Sequence, residues 1–208
     1  MADHHTHVHT TDPDLDGKAL SDGEVWEAAL RELLLEKEIL TTTELHEQMN
    51  RTASQSAAFG ASIIARAWKD LKFKKALLDN PKAAIADLGH DVSKMPDLVI
   101  VENTVNVHNV VVCTLCSCYP RYMLGPPPEW YRSAAYRARV VKDPREVLAE
   151  FGTHVSAETK IQVYDSTADL RYMVMPLCPP GGDDMPLAQL QTAITRDSMI
   201  GVGFPKLP

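Results

Sequence analysis

The chain has 208 residues, 45% of them hydrophobic and 24% charged, with a formal net charge of −7. That is the composition of a globular domain and lacks the basic balance of a nucleic-acid binder. No apolar run approaches the ~20 residues a membrane span needs, and the acidic, His-rich start has no apolar core of the kind a signal peptide carries. The chain reads as cytoplasmic, with neither nucleic acid nor membrane among its partners.

Residues 1–20 read as a disordered tail, in which His4, His5, His7 and His9 could bind a metal in passing. Residues 21–90 read as an N-terminal helical arm. Ser21 and Glu24 have capping-box spacing, and Val25, Trp26, Ala29, Leu30, Leu33 and Leu34 share one face of a 3.6-residue period. Thr41 and Glu44 repeat the capping signal for a second helix. A third is expected through "SAAFGASIIARAWKDLKFKKALL", with Ala57, Ala61, Ile64, Ala65 and Trp68 as its stripe. Pro81 opens a short fourth and Gly89 ends it.

The period then changes. "DLVIVEN", "VNVHNVVV", "KIQVYDS" and "RYMVMP" are rich in β-branched residues and predict four strands. Between the second and third lie a Pro-rich turn, "GPPPEWYRS", and a helix with Asp143 at its cap, Pro144 at its first position and Gly152 past its end. A last helix is expected within "DDMPLAQLQTAIT". The fold class is α+β: a helical arm, then a compact domain over 91–208. The apolar stripe of the arm needs a cover, which a partner subunit would provide.

Three of the four cysteines, Cys113, Cys116 and Cys118, fall within six residues, "CTLCSC", directly after the run of valines. In a cytoplasmic chain such clustering points to metal binding or catalysis rather than a disulfide framework. The spacing alone leaves zinc, an iron–sulfur cluster, inert buried thiols and a less common metal site open. Zinc wants a second ligand pair, for which only His108 and Cys178 offer themselves. An iron–sulfur cluster wants four cysteines at other spacings. The geometry favours the less common site. The sulfurs of Cys116 and Cys118 flank the backbone nitrogens of Ser117 and Cys118, so one turn could present a planar N2S2 set with Cys113 as the axial sulfur. One octahedral position would stay open, as a hydrolytic metal site requires. Deprotonated amides and thiolates suit a trivalent first-row ion.

"VCTLCSCYP", followed by "LGPPPEWYRSAAYRARVVKDPREVLAEFG", with "GASIIARAWKD", "VYDSTADLRYMVMP" and "ITRDSMIGV", resembles the α subunit of nitrile hydratase and the homologous γ subunit of thiocyanate hydrolase. The resemblance runs from about residue 24 to the end. It implies a helical arm on an α/β domain, and a metal held by the sulfurs of Cys113, Cys116 and Cys118 and the backbone amides of Ser117 and Cys118. Cys116 would be the sulfinic acid and Cys118 the sulfenic acid, early rungs of cysteine oxidation, and these two would be the catalytic residues. Thr114 and Tyr119 point to cobalt rather than iron. The implied activity is hydration of a small nitrile to its amide, with a β subunit completing an αβ heteromer and an activator or metallochaperone as a further partner. Arg121, where nitrile hydratases carry Trp, and the His-rich start resemble the thiocyanate hydrolase subunit, so conversion of thiocyanate to carbonyl sulfide and ammonia is the competing activity. A non-catalytic metal-binding or interaction subunit is the reading of a different class. Lys94 aligns where iron-type members carry Gln, and Cys178 stands where a longer polar residue is usual. Buried charge at oxidised sulfurs needs paired cations. Arg121, Arg132, Arg137 and Arg139 lie near in sequence, but the resemblance assigns that task to arginines of the β subunit.

Overall fold

Helix α1 (Asp22–Glu36) realises the first amphipathic period, and the computed structural model, which describes residues 22–45 and 56–207, places it in a unit spanning Met1–Met49. The Ser21–Glu24 capping pair and the four tail histidines lie outside what is described. The second capping signal forms as read: the Thr41 N–H donates to Glu44 Oε2 at 2.8 Å and the Glu44 N–H to Thr41 Oγ1 at 3.1 Å. Val25, Trp26, Leu30 and Leu33 are exposed. Among the described residues no helix is long and apolar enough to cross a membrane.

The second unit spans Asn50–Pro208. It therefore takes in helices that the sequence reading placed in an arm ending near residue 90. These are α2 (Ala57–Lys69), α3 (Leu71–Asp79) and α4 (Pro81–Ala86). They belong to the second unit because Ile63, Ile64, Ala67, Leu77 and Ile85 are buried in the same core as the strands. The long third helix expected from the sequence is two. Asp70 adopts an extended conformation, ends α2, and its carboxylate accepts from the Phe73 N–H at 2.9 Å to cap α3. An N-cap aspartate competes with helix continuation in this way.

All four predicted strands form: β1 (Asp97–Glu102), β2 (Val107–Val112), β3 (Lys160–Asp165) and β4 (Leu170–Met175). They pair in parallel as β1 with β4 and β2 with β3. The register sets Val112 opposite Asp165. Parallel strands covered on both faces read as unbroken apolar runs, and Val110, Val111 and Val112 are fully buried. Each such valine contributes about 1.5–3 kcal/mol, which fixes the carboxyl end of β2.

Between β2 and β3 run four short helices: α5 (Arg121–Leu124), α6 (Glu129–Arg132), α7 (Ala134–Arg139) and α8 (Pro144–Glu150). Pro144 starts α8 as expected, while Asp143 caps it without a side-chain bond. After β4 come α9 (Leu187–Ala193) and α10 (Arg196–Ile200), the latter opened by a capping box between Thr195 and Ser198.

Candidate metal centre

Ligands in open parallel sheets gather at the carboxyl ends of the strands. The cysteine loop leaves β2 at that end, with Cys113 directly after Val112. Cys113 is 0% and Cys118 9% exposed, whereas Cys116 and Leu115 between them are open to solvent. The Cys113 and Cys116 sulfurs lie 3.4 Å apart and those of Cys116 and Cys118 3.1 Å apart. All three lie within 4.8 Å of one another. The Cys116 N–H donates to Cys113 Sγ at 3.3 Å, which curls the loop back on its first sulfur.

Neighbouring elements hold this curl. Asp165, last residue of β3, accepts from the Thr114 N–H at 2.9 Å and from its hydroxyl at 2.5 Å. Arg137 reaches the Thr114 carbonyl at 3.5 Å from α7. On the exit side the Tyr131 hydroxyl donates to the Cys118 carbonyl at 2.8 Å, and the Tyr136 hydroxyl to the Val111 carbonyl at 2.8 Å. Tyr119 packs edge-on against Tyr131, with centroids 4.9 Å apart. Two buried tyrosines thus bracket the loop fore and aft.

Crowding splits the thiols. Hydrogen bonds from Cys118 and then Cys113 bring Cys116 down to about 7. Burial, then donation to Cys116, pushes Cys118 up to about 12, against the pull of the Arg171 guanidinium. Three sulfurs this close cannot all ionise without a cation among them. Thiolate is the form that binds metal, so the donor set fits a thiophilic cation. The backbone nitrogens of Ser117 and Cys118 lie in the chain between the two closest sulfurs.

Several sequence candidates fall elsewhere. Buried His108 donates from Nε2 to the Gly201 carbonyl at 2.7 Å and faces the Asn103 amide at 3.3 Å through Nδ1. Lys94 is exposed, Arg121 is the exposed first residue of α5, and Arg139 pairs with Glu150. Cys178 lines a separate cleft. Asp165 and Arg171 escaped the sequence reading. Asp165 is detectable only as an acid ending a β-branched strand, the position where a parallel neighbour carries its loop.

The family model for the nitrile hydratase alpha chain matches residues 21–203. The chain belongs to that family. It is 43% identical over 181 residues to the low-molecular-weight cobalt-containing nitrile hydratase subunit alpha of Rhodococcus rhodochrous, a match covering 86% of this chain and 87% of that one. To the thiocyanate hydrolase subunit gamma of Thiobacillus thioparus it is 38% identical over 198 residues, covering 90% and 82%. Among solved structures it resembles a recombinant thiocyanate hydrolase comprising partially modified cobalt centres, with TM-score 0.84, 38% identity and 91% and 92% coverage. It also resembles a double mutant of the Fe-type nitrile hydratase of Comamonas testosteroni Ni1, with TM-score 0.82, 39% identity and 90% and 94% coverage.

Proposed function

We propose that this chain is the metal-bearing α subunit of a cobalt-type nitrile hydratase, a hydro-lyase that converts a small nitrile to its amide. The observation that carries this reading is the gathering of three sulfurs at the end of β2, within a loop pinned at Thr114 by Asp165. In this proposal Cys113, Cys116 and Cys118 bind through sulfur, and Ser117 and Cys118 also bind through backbone nitrogen. Cys116 carries the sulfinic acid and Cys118 the sulfenic acid. Trivalent cobalt bound there supplies Lewis acidity to the nitrile or to water.

The chain's own groups do the rest. The Cys118 sulfenate oxygen accepts a proton as a water oxygen bonds to the nitrile carbon. Return of that proton to nitrogen gives the imidic acid, which tautomerises to the amide. Cys116 holds the adjoining corner of the site, and the hydrogen bonds of Tyr131 and Asp165 keep the loop from unwinding. The exposed face of α1, with Val25, Trp26, Leu30 and Leu33, fits an arm laid against a β subunit in an αβ heteromer. Arginines of that subunit would neutralise the oxidised sulfurs, and an activator or metallochaperone would load the metal.

Arg121 supports a second reading. It stands exposed at the head of α5, three residues past Cys118, where an anionic substrate would meet a cation. Thiocyanate would then give carbonyl sulfide and ammonia. The test is co-expression with the partner subunit in cobalt medium, elemental analysis, and parallel assays for amide and for carbonyl sulfide. Stoichiometric cobalt with amide release supports the first reading, and carbonyl sulfide without amide supports the second. Zinc, or a metal-free protein with neither activity, overturns both in favour of a non-catalytic subunit.

A further inference from the structure

At the opposite end of β2 from the cysteine loop lies a cleft of about 320 Å³. Its walls are the β1–β2 connection with Val105, the start of β2 with His108, the segment before β3 with His154, the segment after β4 with Leu177 and Cys178, and the C-terminal stretch with Phe204. A strand rise of about 3.3 Å per residue sets His108 about 17 Å along the chain from Cys113. The cleft is therefore separate from the metal centre. We propose that it binds an uncharged planar aromatic molecule of about ten heavy atoms that carries one hydrogen-bonding head.

The lining sets the ligand's charge, because no Asp, Glu, Lys or Arg contributes to it. His108 stays neutral, since burial lowers its pKa below 6.5 and both ring nitrogens are engaged. An ion would give up part of its hydration there with no opposite charge to replace it. The walls are also rigid. Pro176, Pro179, Pro180 and Pro205 lock the backbone of two of them. Two of the walls are pinned from outside the cleft and a third is tied to one of these. Trp68 Nε1 donates to the Pro176 carbonyl at 3.0 Å, and Arg145 binds the carbonyls of Val155, Ser156 and Thr159 at 2.6–2.8 Å. Thr159 Oγ1 ties its segment to the Val105 carbonyl at 3.2 Å. A preformed, largely apolar cleft of this size is the usual form of a small-molecule site, with little ordering cost on binding.

Shape and polarity narrow the class. Phe204 stands edge-on to His108, with centroids 5.5 Å apart, and keeps 45% of its surface exposed. It shares the lining with Pro176, Pro179, Pro180 and Pro205, apolar rings against which a flat ring can pack. Asn103, Thr104, His108, Ser156 and Thr159 each already engage a side-chain polar atom within the chain, Thr104 and Ser156 as acceptors only. Among the described residues, the His154 and Cys178 side chains are the lining polar groups with no hydrogen bond, and they are placed to meet the polar head of a ligand.

Cys178 is a built-in reporter. In the chain co-purified with its partner, the rate of N-ethylmaleimide addition at Cys178 is followed by mass spectrometry on the tryptic peptide 172–196. Benzamide at about ten times its Kd is expected to slow the reaction about tenfold. Sodium benzoate, the charged analogue, should leave it unchanged. Protection should persist in Cys116→Ser, which separates the cleft from the metal centre, and vanish in Phe204→Ala. An unchanged rate with benzamide overturns the proposal. So does a Cys178 that reacts in the isolated chain but not in the complex, since the partner then fills the cleft. If Cys178 is inert in both, the fluorine line width of 4-fluorobenzamide decides: broadening lost in Phe204→Ala supports the site, and no broadening removes it.

Discussion

Asp165 grips Thr114 at two points, one carboxylate oxygen on the backbone N–H and the other on the hydroxyl, across a separation of 51 residues. The parallel register makes this possible, because Asp165 ends β3 opposite Val112, two residues before Thr114. The first turn of the cysteine loop is thereby fixed by a neighbouring strand as well as by its own bond from Cys116 N–H to Cys113 Sγ.

Asp165→Ala removes both acceptors. At about 1 kcal/mol for each bond, the loop loses its set geometry by roughly a factor of ten or more. Cobalt content and kcat of the co-purified protein should fall together, while Asp165→Asn, which keeps one acceptor, should fall between. Full metal content and full kcat in Asp165→Ala would show that the sulfurs organise themselves without the clasp.

Tyr131→Phe tests the other flank. The hydroxyl donates to the Cys118 carbonyl at 2.8 Å in a fully buried setting. An orphaned buried carbonyl costs about 1–3 kcal/mol. The melting temperature should drop by about 2–4 °C for each kcal/mol in a domain of this size. The sulfur-to-metal absorption band should also shift, because the carbonyl belongs to a proposed ligand residue. A loss of stability with an unmoved band would reduce Tyr131 to a packing role.

These two residues mark what sequence reveals and what it hides. The strands were legible because β-branched runs have few other uses, and the cysteine loop because three sulfurs in six residues exceed any packing need. Pairing was not legible: nothing in "VNVHNVVV" states that it lies beside "KIQVYDS" rather than "RYMVMP". Asp165 draws its role from that pairing, and Arg171, on β4 opposite β1, from how the strands are placed in the fold, so both stayed hidden. The extent of the second unit was hidden for a related reason. The stripe of α2 announces burial, but not whether the strands or a partner will cover it.

His108 gives the pH dependence. Burial is the largest cause lowering its pKa from 6.5, and the Arg145 charge adds to it, while the Gly201 carbonyl opposes both. The folded state therefore binds this proton less readily than the unfolded chain. The group's stability contribution is complete above pH 6.5 and is lost as pH falls toward the folded pKa. The lowered carboxylates, Glu44, Asp91 and Glu150, have ordinary values of 3.8–4.5 and lose their contribution only at lower pH. Between pH 7.5 and 5.5 the apparent melting temperature should fall, and the slope should flatten in His108→Gln. An equal slope in both proteins would assign the dependence to other groups.

Gly60→Ala is the substitution in which helix propensity and packing oppose each other. Alanine in an exposed helix interior improves on glycine by about 1 kcal/mol. At Gly60, in α2, a Cβ would stand 2.9 Å from the Met123 carbonyl oxygen, 2.9 Å from Leu124 Cδ2 and 3.0 Å from Met199 Sδ. The two side chains can turn aside, but the carbonyl belongs to the backbone of α5 and cannot. Relief must come from moving α5, which begins three residues after Cys118. Such overpacking costs about 1–3 kcal/mol, so packing outweighs propensity and the melting temperature should fall. Metal content should fall with it, because the displaced helix pulls on the exit of the cysteine loop. A more stable protein would show that α5 yields freely and that the loop is held by Asp165 and Tyr131 alone.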